Sequence, residues 1–340
     1  MDENQRSSRD AQGEAGTSPA FDDAFTHMAA LRQRPGFVMA VDEAMRGLLG
    51  MYRGHLLPNR ILNDRGRLAL ALCTLYLHHE PDQNGVGLTV TRLTNLCQSS
   101  GICSRGRAKA MILLMRWAGF LEVGRASDAR ALGGRTRPLV PTPRLVDEQT
   151  RRWMVIGGAL ARLDPVGGRI VAELEHPDFF GALIRQLGRR YVAGFRLLET
   201  APALGLFADR DGGFMMAFLL AMAANDAHAA GCAAPAAVSI SALARGCHVS
   251  RAHVLKLARE AEAEGLVERL PGLEGGVLGT SALQAAVEDF FAAAFSTLMC
   301  AGRDALVEMD ALNQRGTGTM AHPPLIPTLP DTGRGPDIRA

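Results

Sequence analysis

Apolar residues recur at three- and four-residue spacings through most of the chain, interrupted by short extended runs and glycine-bearing turns. This pattern predicts an amphipathic helix over 37–57, a more apolar helix over 67–79 and a short extended piece over 87–90. Thr91 is then placed to cap a short helix. A turn, a further helix, a β-hairpin and a long closing helix over 143–163 complete the series. The same order returns as helices over 179–199 and 214–230, an extended piece over 238–240, a cap at Ser241 and a closing helix over 281–309.

The recurrence is visible residue by residue. Ser104-Arg105 is followed by Gly119-Phe120-Leu121-Glu122, and Ser250-Arg251 by Gly265-Leu266-Val267-Glu268, each pair of counterparts 146 residues apart. Asp64-Arg65-Gly66 and Asp209-Arg210-Asp211 precede the second helices at an offset of 145, and Pro35-Gly36-Phe37 and Pro177-Asp178-Phe179 open the first helices at an offset of 142. A nearly constant offset kept in order implies a tandem duplication. The organisation that follows is a disordered N-terminal segment over 1–20, a first repeat over 21–163, a second over 164–313, and a Pro/Gly-rich disordered tail over 314–340.

The chemistry concentrates in one stretch of each repeat. In the second, a short helix ends near Gly246, which is suited to a left-handed turn conformation. Val249 turns inward, and Ser250 caps a helix whose buried face is Val254, Leu257, Ala258 and Ala261. Arg251, His253, Leu255, Lys256 and Arg259 are left nearer the outside. Gly265 stops that helix, strands over 266–270 and 277–280 flank a tip over 271–276, and the whole is a helix-turn-helix followed by a wing. In the first repeat Gly101 supplies the turn, Ile102 the inward contact and Ser104 the cap. Ala108, Met111, Ile112 and Met115 form the buried stripe, leaving Arg105, Arg107, Lys109 and Arg116 outside. Strands over 120–125 and 137–141 flank a wing carrying Arg130, Arg135 and Arg137.

These residue types suit duplex DNA. A helix of about 10–12 Å diameter fits the major groove, and its N-terminal N–H groups favour a phosphate. Arginines near that end can reach guanine, and a basic wing can track the backbone. The candidate DNA-binding residues are therefore Ser104, Arg105, Arg107, Lys109, Arg130, Arg135, Arg137, Ser250, Arg251, His253 and Lys256. The copies differ: wing two carries Glu274 and no Lys or Arg between Leu270 and Ser281, so the first repeat is expected to supply more of the phosphate affinity.

Composition narrows the classes. An aromatic content of 5% leaves Leu, Ala, Val and Met to fill the core and favours helix. A net charge of only +2 means that any basic surface is local. Six cysteines include no CxxC pair and no zinc-finger spacing, which fits reduced thiols of a cytoplasmic protein. Cys97 and Cys103 flank a turn and could form a redox pair, although plain packing is the preferred reading. No apolar signal region opens the chain, and the longest apolar run, 214–224, is about half a membrane span and reads as a buried helix.

The residues over 243–269 resemble the MarR-type winged helix transcription regulators in their Leu-Ala…Val-Ser-Arg turn and Gly-Leu-Val-Glu-Arg exit, and 93–125 match more loosely. The resemblance implies a mainly α fold with small β-wings. It also implies homodimers joined by terminal helices, and in many members a small-molecule effector bound between the dimerisation and DNA-binding parts. With two modules in one chain, the implied architecture is a single-chain pseudo-dimer in which helices 37–57 and 143–163 pack against 179–199 and 281–309. A transcriptional regulator binding double-stranded DNA is the leading expectation. A plasmid-type replication initiator with two winged helices and a non-DNA-binding winged-helix interaction subunit are the alternatives. No Gly-rich phosphate loop, GxSxG or HExxH motif occurs, and His78-His79-Glu80 lacks a third ligand at a defined spacing, so neither an enzyme, a cofactor nor a metal is expected.

Overall fold

The computed structural model describes residues 19–52, 65–124, 137–231, 237–270 and 276–317. The chain is mainly helical, with two small antiparallel sheets. The first repeat runs α1 (Pro19–Arg32), α2 (Phe37–Tyr52), α3 (Arg65–His79), α4 (Val90–Ser99), α5 (Arg105–Trp117), β1 (Leu121–Val123), β2 (Leu139–Pro141) and α6 (Pro143–Ala161). The second runs α7 (Pro165–Glu173), α8 (Pro177–Val192), two 3-10 turns, the single turn α9 (Gly205–Ala208), α10 (Gly213–Ala229), β3 (Val238–Ser239), α11 (Ile240–Gly246), α12 (Arg251–Ala263), β4 (Val267–Leu270), β5 (Gly276–Gly279) and α13 (Ser281–Thr317).

Packing between the repeats is reciprocal. The first repeat's α2 lies on α10 of the second, and the second repeat's α8 lies on α3 of the first. Likewise α1 lies against α13, the closing helix of the other repeat, and α7 lies against α6. The two closing helices also touch each other, while α2·α6 and α8·α13 are the major contacts inside each repeat. One hydrophobic core therefore runs through both halves, with Phe37 of α2 edge-on to Phe295 of α13 at 6.4 Å. Charged struts reinforce the seam: Arg189 of α8 grips Glu80 beyond α3 at 2.8 Å, and Arg34 and Arg303 both reach the buried Asp164 that caps α7.

Several boundaries differ from the sequence reading, each for a local reason. The caps are Thr89 and Ser239, two residues before Thr91 and Ser241; each accepts the N–H three residues on, at 3.1 Å. The earlier starts put Leu93 and Cys97, and Ile240, Leu243 and Ala244, onto the buried faces. The left-handed residue of the second turn is His248 (φ 56°), not Gly246, which is still helical. Gly246 is small for another reason, since a Cβ there would lie 2.9 Å from Leu219 Cδ1. The helix expected to reach 199 stops at Val192, where Gly194 (φ 108°) turns the chain. Helices α1 and α7 were not anticipated, and α13 runs past 309 to Thr317.

One segment, Ser281–Leu312 within α13, is long and apolar enough to cross a membrane by length and composition, and 72% of its apolar window is buried inside the fold. The apolar run over 214–224 lies in α10, which is likewise packed into the core. The expectations for residues 1–18, 53–57 and 318–340, for Arg130, Arg135 and Glu274, and for Cys232 lie outside the described residues.

Candidate nucleic-acid interface

In each repeat two helices meet at a turn and a hairpin follows. The first turn passes from the α4 end at Ser100 through Gly101 (φ 67°), Ile102 and Cys103 to Ser104; the Ile102 N–H closes it onto the Cys97 carbonyl at 2.9 Å. In the second, His248 and Val249 link Cys247 to Ser250, and the Val249 N–H closes onto the Ala244 carbonyl at 3.1 Å. Ser104 accepts from the Arg107 N–H at 3.3 Å and Ser250 from the His253 N–H at 3.1 Å, so α5 and α12 start from the same kind of cap. The expected stripes hold: Ala108, Met111, Ile112 and Met115 are buried, as are Val254, Leu257, Ala258 and Ala261.

Each hairpin is tied to the helix before it by a threonine that the sequence reading passed over. Thr142 donates its hydroxyl to the Gly119 carbonyl (2.7 Å) while its N–H reaches Phe120, and Thr280 does the same with Gly265 (2.8 Å) and Leu266. Both are the single residue before a closing helix, a signal visible in the sequence once the strands are known. Arg144 adds a bond to the Ala118 carbonyl at 2.7 Å and lies 4.9 Å above the Phe120 ring.

The candidate residues distribute as follows. Ser104, Arg105, Arg107 and Lys109 lie exposed on the first turns of α5, with Arg116 exposed near its end; Ser250, Arg251 and Lys256 lie exposed on α12. Arg137 is exposed just before β2. His253 is different: it is half-buried, with Nε2 sealed from solvent and no partner. Two apolar side chains also face outward on α5, off its buried stripe: Leu113 at 62% and Trp117 at 74% exposure.

The two helices differ electrostatically. Helix α5 carries Arg105, Arg107, Lys109 and Arg116 and no acid. Helix α12 carries Arg251, Lys256 and Arg259 beside Glu260 and Glu262. Those acids are engaged: Glu260 meets Arg210 at 3.0 Å and Lys256 at 4.0 Å, and Glu262 holds Arg269 at 2.5 Å, which keeps the Glu262 carboxyl below its ordinary range. On α5, Arg105 bonds only the neutral amide of Asn95 among the contacts between described side chains.

The remaining sequence candidates resolve simply. Glu80 of the His78-His79-Glu80 run is in the seam with Arg189, and among the described residues no group of three or more His, Cys, Asp or Glu converges as a metal site. Burial, with a smaller contribution from Cys103, pushes the Cys97 thiol up to about 12, and burial does the same to Cys247. Such thiols are packing groups with very little thiolate at neutral pH.

No protein-family model, no curated protein and no solved structure matches the chain.

Proposed function

We propose that the chain is a double-stranded-DNA-binding transcription regulator built from two winged helix-turn-helix modules, comparable to the MarR-like regulators but duplicated within one polypeptide. The observation that carries this reading is the pair of serine-capped, arginine-bearing helices, α5 and α12, both exposed and both followed by a threonine-tied hairpin. The reciprocal packing of α2 on α10 and α8 on α3 supports a pseudo-two-fold arrangement, the single-chain counterpart of a dimer. Such an arrangement suits two half-sites read by two helices. The free cysteines among the described residues, three of them held protonated by burial, support a reducing, cytoplasmic setting.

The test is a genome-wide binding map of the full chain, followed by a mobility shift on the recovered duplexes at low salt. Promoter-proximal single sites are the expected result. A tandem array at a replication origin would instead make the chain an initiator. Absence of any shift at low salt would overturn DNA binding and favour an interaction subunit.

A further inference from the structure

Helix α5 carries a second stripe that its buried face does not account for. Gly106, Ala110, Leu113 and Trp117 follow one another at spacings of four, three and four residues, so they share one side of the helix, and all four are exposed. This side lies opposite Ala108, Met111, Ile112 and Met115, which face the core. A single exposed leucine needs no explanation, but an alanine, a leucine and a tryptophan aligned on one exposed face do. Gly106 heads the stripe, and nothing lies within 4 Å of where its Cβ would stand, so packing among the described residues does not call for a glycine there. Its small size keeps the start of the helix low on this side.

Charge narrows what can cover the stripe. Arg105, Lys109 and Arg116 run beside it along the same length, all exposed, and α5 has no acid. A complementary surface is anionic at its edge and apolar at its centre. The major groove of DNA has that layout wherever thymine stands: phosphates line the edge, and the C5-methyl group projects into the groove. The other base edges show donors and acceptors there, which an apolar stripe would strip of water without pairing. From Gly106 to Trp117 the stripe runs about 16 Å, the length of about five base-pair steps.

The second copy lacks the stripe. The counterparts 146 residues on are Ala252, Lys256, Arg259 and Ala263, all exposed, so cations stand where α5 has Ala110 and Leu113. We infer that α5 reads thymine through its 5-methyl group, with Leu113 and Trp117 as specificity-determining side chains, and that α12 does not. The cations of α5 then serve the phosphates and its apolar stripe serves the bases, in place of guanine contacts by arginine. The inference rests on the DNA-binding reading and adds to it the base chemistry of one half-site.

The test uses the full chain and a duplex recovered from the binding map. The thymines of one half-site, then of the other, are replaced by deoxyuridine, which removes the methyl group and keeps the base pair. A loss of affinity is expected in one half only, about fourfold for each contacted methyl and about fifteenfold for two. Leu113→Ala combined with Trp117→Ala should weaken the thymine duplex by a similar factor and abolish its advantage over the deoxyuridine duplex. Both side chains are exposed, so the core is left intact, and an unchanged urea midpoint checks this. Recovered half-sites poor in thymine, indifference to the methyl groups, equal losses in both halves, or a deoxyuridine penalty that survives in the double variant would each overturn the inference and leave DNA binding standing. A double variant that keeps its affinity for every duplex but lowers the sedimentation coefficient would assign the stripe to a second copy of the chain and overturn it too. A chain that shifts no duplex at all overturns the DNA-binding reading itself, and this inference with it.

Discussion

If the chain binds DNA as proposed, replacing Arg105 and Lys109 of α5 with alanine should flatten the salt dependence of that binding more than replacing Arg251 and Lys256 of α12. Each phosphate contact adds about 0.9 to the slope of log affinity against log salt. On α5 neither cation faces an acid of its own helix, and among the described side chains Arg105 bonds only the neutral Asn95, so both charges are available and their loss should lower the slope by about 1.8. On α12 the Lys256 ammonium is already 4.0 Å from Glu260, so only Arg251 counts fully and the loss should be about 0.9. The assay is fluorescence anisotropy of a labelled duplex from the binding map, titrated at five or so potassium chloride concentrations with each double variant. Equal losses, or a larger loss on α12, would refute the argument that intrahelical acids mute the second copy.

The caps offer a simpler test: Ser104→Ala and Ser250→Ala should each cost about 1 kcal/mol in urea denaturation, and no change would mean that the serine hydroxyls do not start these helices. His79 sits in the α3–α8 seam, where burial, then His78, then Arg185, pull its pKa down to about 4. The depressed value means its contribution is fully present above about pH 6.5 and lost as pH falls through about 4; His79→Leu should blunt that acid loss in pH-dependent melts. Gly167→Ala would put a Cβ 2.4 Å from the Ala161 nitrogen and 2.7 Å from the Gly157 oxygen. Both are backbone atoms, so the α6–α7 contact must open, and the cost of about 1–3 kcal/mol should outweigh the roughly 1 kcal/mol of helix propensity gained. A raised melting temperature would contradict this.

What was legible in the sequence was what is local. The caps Ser104 and Ser250 and the buried stripes of α5 and α12 follow from spacing within a dozen residues, and the structure places them as read. The caps of α4 and α11 were misplaced by two residues because Thr89 and Ser239 compete with Thr91 and Ser241, and only the buried face decides between them. His248 illustrates the limit: a left-handed conformation was expected at the nearest glycine, yet the turn closes on Ala244 and so takes the residue two later, at a cost of about 1–2 kcal/mol. Helices α1 and α7 belong to contacts with the opposite closing helix. No window of sequence contains both sides of such a contact.

Fusing two copies into one chain has a physical consequence for the proposed regulator. In a homodimer every substitution appears on both sides of the axis; in a duplication each copy drifts alone, while the reciprocal α2·α10 and α8·α3 contacts constrain only the shared frame. The two halves differ where a difference costs the core least. Three residues past the cap, α5 carries Arg107 where α12 carries His253, the one exposed and the other half-buried. The left-handed residue is followed by two residues before the cap in the first turn and by one in the second, so the two helices leave their turns differently. Two heads with unequal charge, unequal leading residues and unequal turns should not prefer two equal half-sites. Under the proposed reading, the strongest duplexes in the binding map should therefore carry one well-defined half-site beside a degenerate one, and making the degenerate half a perfect inverted copy of the first should add less than about 1.4 kcal/mol, a factor of ten in affinity.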